Sequence, residues 1–199
     1  ALLLAADWPA LCEAGQPFAD PLCGSGTLLV EAAMIACRRA PGLGRAHFGF
    51  LGWKGHDAAL WERLLGEARA VIRPSPVPIA GGDHDARSVE ATRRHAVAAG
   101  VGEAVSLETR ALGEGRLSAL SGASPGLLLT NPPYGERLAA GEAFYREFGA
   151  NLSAHYDGWR VGVFTARAAP LAAVALPLET RLSVANGGID CVLAEGRVP

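Results

Sequence analysis

The chain has 199 residues, half of them hydrophobic, and a formal net charge of −2. That length suits one domain able to bury a sizeable core, and no uncharged apolar run reaches the roughly 18 residues that a membrane span needs. The charge balance argues against a strong independent nucleic-acid binder, because such affinity comes mainly from neutralised phosphates. The four cysteines, Cys12, Cys23, Cys37 and Cys191, form no CxxC pair, which indicates a reduced, cytoplasmic protein. The five histidines show no ligand spacing, so no metal is expected.

The opening Ala1-Leu2-Leu3-Leu4-Ala5-Ala6 has the apolar character of a secretion signal but neither a basic leader nor an initiating Met. It reads as a helix cut at the boundary of the sequence. Pro17-Phe18-Ala19 then leads into Asp20-Pro21-Leu22-Cys23-Gly24-Ser25-Gly26-Thr27, followed by a continuous apolar stretch of strong helix formers. The pattern is strand over 18–20, Gly-rich turn, helix over 27–39. Glycines let a ligand approach the backbone, and the free N–H groups of the helix start favour an anionic group such as a carboxylate. Asp20 supplies an acidic counterpart for an ammonium, so the turn suits a zwitterion. A nicotinamide fingerprint would need a third glycine where Leu29 stands; no Gly-Lys-Ser/Thr follows, and the glycine spacing is not that of a nucleophile elbow. Cys23 reads as a small space-filler of the turn.

An insertion occupies roughly residues 40–76 and holds a second helix over 57–72 and the aromatics Phe48, Phe50, Trp53 and Trp61. Two readings stand: the aromatics pack this extra helix onto the sheet, or they form a lid for a substrate base. Two basic clusters, Arg38, Arg39, Arg45 and His47 on the insertion and Arg93, Arg94 and His95, read first as solvated faces; as a nucleic-acid-facing candidate the former is preferred. A strand over 77–81 precedes Asp83-His84-Asp85, where Asp83 is placed to accept from ribose hydroxyls and Asp85 to cap the helix over 86–99. Gly100 and Gly102 stop that helix, and a strand over 105–108 follows.

The apolar run 127–130 ends in Asn131-Pro132-Pro133-Tyr134. Two prolines in succession stiffen the chain, so the side-chain oxygen of Asn131 and the carbonyl of Pro132 offer two acceptors beside the flat ring of Tyr134. Such a group matches an NH2 on a nucleobase, stacked on the ring. Acceptors that tighten as positive charge develops on nitrogen lower the barrier to its alkylation, with no covalent intermediate. A helix over 142–155 and a strand over 160–165 follow. Segments 180–185 and 189–194 flank Asn186-Gly187, a hairpin signal, so the sheet closes with an antiparallel pair. Alternating strands and helices specify an α/β, Rossmann-like, mainly parallel seven-stranded sheet with a C-terminal antiparallel hairpin. If the first and fourth strands are neighbours, their ends lie about 5 Å apart and both motifs meet at one cleft.

The run from Asp20 to Ala33, Ala40-Pro41-Gly42-Leu43, Phe50-Leu51-Gly52-Trp53 with His56-Asp57, Gly82 to Arg87, Asn131-Pro132-Pro133-Tyr134-Gly135-Glu136-Arg137-Leu138 and Asn186 to Cys191 together carry a family resemblance. The chain resembles the THUMP-associated RNA N-methyltransferases, most closely the catalytic unit of the 23S rRNA guanine-N2 methyltransferases, over nearly its whole length. The resemblance implies a class I methyltransferase fold, S-adenosyl-L-methionine as donor and guanine N2 in 23S rRNA or a ribosomal precursor as acceptor. It implies that Asp20, Pro21, Cys23, Gly24, Ser25, Gly26 and Thr27 line the methionine portion, that Asp83 with His84 serves the ribose, and that Asn131, Pro132, Pro133 and Tyr134 hold the base. Where relatives often carry an acidic residue for the adenine amine stands Ala111, with Glu108 and Glu114 as neighbouring candidates. A THUMP-type RNA-binding region is expected upstream. Methylation of adenine N6, cytosine N4 or a tRNA guanine, and a donor-binding module that is inactive without its RNA-binding half, are the alternative readings.

Overall fold

The computed structural model describes residues 1–133 and 141–199. Helices α1 (Leu2–Ala5) and α2 (Trp8–Glu13) precede β1 (Phe18–Asp20) and α3 (Thr27–Ala36). After a 3-10 turn at Gly49–Gly52 come α4 (Ala58–Ala70), β2 (Ile79–Asp83), α5 (Ala86–Ala98), β3 (Ser106–Thr109) and β4 (Leu127–Thr130). The chain ends with α6 (Gly141–His155), β5 (Arg160–Ala166), β6 (Glu179–Asn186) and β7 (Ile189–Arg197).

The seven strands form one sheet in the order β3-β2-β1-β4-β5-β7-β6. All neighbours are parallel except where β7 inserts antiparallel between β5 and β6. Strand order reverses between β1 and β4, and the crevice beyond the carboxyl ends of these strands is where open α/β sheets place ligands. The central strands are apolar and buried on both sides: Leu127, Leu128 and Leu129 of β4 have no exposed surface. One core lies under α1, α2 and α3, with Trp8, Phe18, Leu29 and Leu193. The other lies under α6, with Tyr145, Phe148, Tyr156 and Trp159.

Element boundaries differ from the sequence reading for local reasons. Helix α3 stops at Ala36 because Arg38 takes a left-handed φ of 52°, while Arg38 N–H donates to Ile35 O and Arg39 N–H to Met34 O, the pattern of a Schellman stop. Strand β2 begins two residues late, since Pro78 has no N–H for the ladder, and runs on through Gly81 and Gly82 to Asp83. Gly81 has no Cβ because Leu29 of α3 occupies that space. Asp85 caps α5 as expected, its carboxylate accepting from Arg87 N–H at 3.0 Å. The terminal loop is Gly187-Gly188, both at positive φ as a two-residue hairpin turn requires, so the pair closes one residue later than the Asn186-Gly187 reading.

The insertion between α3 and β2 does not pack onto the sheet. No residue of α4 is buried. Phe48, Phe50 and Trp61 pack on one another, with ring centroids 4.9 to 5.4 Å apart. The segment leaves from the carboxyl end of α3 and returns there, where Arg73 N–H donates to Cys37 O and its guanidinium to Ala36 O, both at 3.0 Å.

Candidate active site

The site is built at the carboxyl ends of β1, β2 and β4. Asp20 ends β1 and is only 2% exposed. Its Oδ1 accepts from Thr130 Oγ1 at 2.6 Å and from Leu22 N–H at 3.3 Å. Burial pushes the Asp20 carboxyl up to about 7, partly offset by these two hydrogen bonds and reinforced by the nearby charge of Asp83. A cation reaching Asp20 would restore its ionised form. Thr130 immediately precedes Asn131, so one hydrogen bond ties the acidic end of β1 to the root of the Asn-Pro-Pro segment on the neighbouring strand.

The Gly loop is latched from behind by β2 and α5. Asp83 Oδ2 accepts from Gly24 N–H at 2.9 Å, and Cys23 N–H donates to Gly82 O at 2.9 Å. Thr92 Oγ1 donates to Gly24 O at 2.8 Å, and His95 Nδ1 lies 2.8 Å from Ser25 O. A carbonyl only accepts, so His95 carries its proton on Nδ1 there. Gly26 N–H closes the turn onto Cys23 O at 2.8 Å. Gly24 and Gly26 both have positive φ, 52° and 83°. A Cβ on Gly26 would run into Thr92, whereas a Cβ on Gly24 would meet nothing within 4 Å. Open space over Gly24 is what a ligand lying against the loop requires. No side chain caps α3, whose first turn leaves N–H groups for an anion.

Pro21, Cys23 and Gly26 are buried, while Ser25 and Thr27 are exposed at the loop surface. Cys23 is buried within the turn, and that burial pushes its thiol up to about 12, away from the thiolate form. Asp83 is 8% exposed, and its Oδ1 also accepts from Asp85 N–H at 2.9 Å. A carboxylate offers about four lone-pair sites, so acceptor capacity remains for a hydroxyl. His84 sits beside it, Nδ1 3.2 Å from Asp83 Oδ1, with an exposed ring. Asn131 and Pro133 are exposed and Pro132 is buried; Tyr134 lies outside the described residues. Glu108, one substitute for the acid missing at Ala111, is committed elsewhere: its oxygens accept from Ser118 N–H, Ser118 Oγ and Arg110. Glu114 stays exposed. Among the described residues, no three His, Cys, Asp or Glu side chains converge as a metal site.

Sequence reasoning passed over Thr130 and Thr92, and gave His95 only as a member of a basic cluster, not as a partner of the Gly loop. All three act across 68 to 110 residues of chain. A threonine directly before Asn131 and a His on the loop-facing turn of α5 were the available signals.

A Rossmann-like sheet with an antiparallel β7, a Gly loop after β1, an acidic residue after β2 and Asn-Pro-Pro after β4 define a methyltransferase fold. Residues 1–195 match the family model UPF0020, the RMKL-like methyltransferase domain, and the chain belongs to that family. It is 38% identical over 200 residues to the ribosomal RNA large subunit methyltransferase K/L of Syntrophotalea carbinolica. That match covers 97% of this chain but 28% of the relative, so the chain spans little more than a quarter of the curated protein it resembles. Among solved structures it is similar to SMU.472, crystallised in complex with SAH, at 29% identity and a TM-score of 0.80 over 96% of this chain and 52% of that one. It is likewise similar to a predicted N6-adenine-specific DNA methylase from Listeria monocytogenes, at 29% identity and a TM-score of 0.73, over 95% of this chain and 50% of that one.

Proposed function

We propose that this chain is the catalytic unit of an S-adenosyl-L-methionine-dependent RNA methyltransferase acting in the cytoplasm on the exocyclic N2 amine of a guanine in 23S rRNA. The observation that carries the reading is the Asp20–Thr130 hydrogen bond, which puts a latched Gly loop and the Asn131 acceptor on adjacent strand ends. The fit to the donor rests on the space kept open above Gly24 and on the buried carboxyl of Asp20, which has no cationic partner among the described residues. The donor supplies an electrophilic methyl on a sulfonium.

Residues 20, 21 and 23–27 receive its methionine part, with Asp20 toward the ammonium and the α3 N-terminus toward the carboxylate. Asp83 accepts from the ribose, and His84 flanks it. Asn131 Oδ1 and Pro132 O accept the two hydrogens of the target amine while Tyr134 stacks on its ring, and Pro133 keeps the segment extended. Both acceptors strengthen as the nitrogen becomes positive, which lowers the barrier, and the alkylated amine then loses its proton to solvent. A paired guanine must first leave its stack, a task suited to an upstream THUMP-type region.

Asn131→Ala is expected to cut methyl transfer to unmodified 23S rRNA by roughly a hundredfold or more. Donor affinity by calorimetry should change little. Unchanged turnover would sink the assignment. Similarity to the Listeria protein favours a second reading, methylation of adenine N6, because Asn-Pro-Pro recognises an NH2 on a flat ring in either base. Nucleoside analysis of the product separates the two. Turnover that appears only after an upstream RNA-binding region is supplied would make this chain a donor-binding half.

A further inference from the structure

Between Arg38 and His56 the chain carries four cationic side chains, Arg38, Arg39, Arg45 and Lys54, two histidines and no carboxylate, in a protein whose net charge is −2. Arg38 is paired with Glu13. Among the described residues, Arg45 and Lys54 make no ion pair, and the Arg45 guanidinium lies 5.1 Å from the ring centre of Phe48. Next to Lys54, Trp53 is 72% exposed, the most exposed large apolar side chain described. It borders a groove of about 420 Å³ shared with Phe50, His56, Asp57, Leu60, Trp61 and Leu64, where the Asp57 carboxylate caps α4 by accepting from Leu60 N–H at 2.9 Å. Neither composition nor core packing explains the arrangement, because α4 buries nothing against the sheet.

Solvent-exposed aromatic faces beside unpaired cations are the chemistry of single-stranded nucleic-acid binding: bases stack on rings and phosphates meet the cations. A protein partner with an apolar helix would not require the absence of carboxylates from Arg38 to His56. The location argues against a lid. Helix α3 spans ten residues, about 15 Å, and the insertion is rooted at its far end from the Gly loop.

We propose that this insertion is a second RNA-contact surface, remote from methyl transfer, on which Trp53 stacks an unpaired base while Arg45 and Lys54 neutralise flanking phosphates. The proposal rests on the reading of the substrate as RNA and adds where a second part of that RNA is held. Such a contact raises the local concentration of the target at the cleft without touching it.

The test is fluorescence anisotropy of a labelled single-stranded oligoadenylate with the whole chain, at several low salt concentrations. Trp53→Ala is expected to weaken binding roughly five- to a hundredfold, and Trp53→Phe, which keeps a ring, to recover most of it. The double variant Arg45→Glu, Lys54→Glu should reduce the slope of log affinity against log salt by about 1.4. All variants should retain the circular dichroism and donor affinity of the wild type. Equal RNA affinity in Trp53→Ala and wild type overturns the proposal, as does failure of the wild type to bind the oligonucleotide at all. A shift in oligomeric state caused by Trp53→Ala also overturns it, since the groove would then be covered by a second copy. If Trp53→Ala weakens RNA binding while the wild type methylates no guanine, the surface stands and the catalytic assignment falls.

Discussion

Asp20 concentrates the electrostatics of the proposed donor cleft. A carboxyl that titrates near 7 when folded and near 3.8 otherwise binds its proton more tightly in the folded state. Between those values the fold holds more protons than the unfolded chain, so its contribution to stability falls as pH rises from about 4 to about 7 and is flat beyond. The total is on the order of 4 kcal/mol. Asp20→Asn removes the titration and can still accept from Thr130 Oγ1. Urea unfolding at pH 5 and pH 8 should therefore show the variant gaining stability on the wild type as pH rises; parallel behaviour would mean that Asp20 is not desolvated as described. On the proposed placement of the donor's ammonium against Asp20, the same variant should lose donor affinity, because a neutral amide cannot replace the carboxylate.

At the scale of elements, the Gly loop separates two roles that glycines play. Gly24 and Gly26 both sit at positive φ, which costs a side-chain-bearing residue about 1–2 kcal/mol. Only Gly26 also abuts Thr92. Gly26→Ala should therefore lower stability well beyond that strain, by displacing the Thr92 hydroxyl from Gly24 O. Gly24→Ala should cost about the strain alone, yet weaken donor binding at least tenfold, because its methyl enters the space left for the ligand. Thermal unfolding and calorimetry on the two variants give the comparison, and equal binding losses accompanied by equal stability losses would refute it. The strand-loop-helix unit was readable from Asp20 to Thr27 because the apolar run, the glycines and the helix formers are contiguous. The latch behind it was not readable, since Asp83, Thr92 and His95 reach the loop only after α5 has folded over β2.

On the scale of the molecule, the sheet and the insertion are unequal partners. Helices α3 and α6 bury Leu29, Tyr145, Phe148 and Leu152, whereas α4 buries no residue and is held through its own aromatic cluster and the Arg73 bonds to α3. Local opening free energy follows buried apolar contact, so amides of α4 should exchange with deuterium faster than those of α3 and α6 by an order of magnitude or more. Equal protection would show that the insertion is part of the cooperative core. Of the two readings of Phe48, Phe50, Trp53 and Trp61, the packing of the extra helix onto the sheet does not hold, since α4 buries nothing and three of the rings pack on one another: aromatic content says that a cluster forms, and it does not say against which surface.

The sequence by itself determined the β-α alternation, the closing hairpin and the two motifs, because each is written in contiguous residues whose periodicity and turn chemistry act locally. It also carried the stop after α5 at Gly100 and the cap at Asp85, both short-range devices. Only the tertiary structure decided that β7 threads between β5 and β6, that Thr130 bonds Asp20 across 110 residues, and that Glu108 is spent on Ser118 rather than left for a ligand. It decided as well that the insertion stands off the sheet with Trp53 in solvent. Contacts between residues distant in the chain depend on which strands become neighbours, and that choice is made by burial of the whole apolar surface rather than by any one segment's preference.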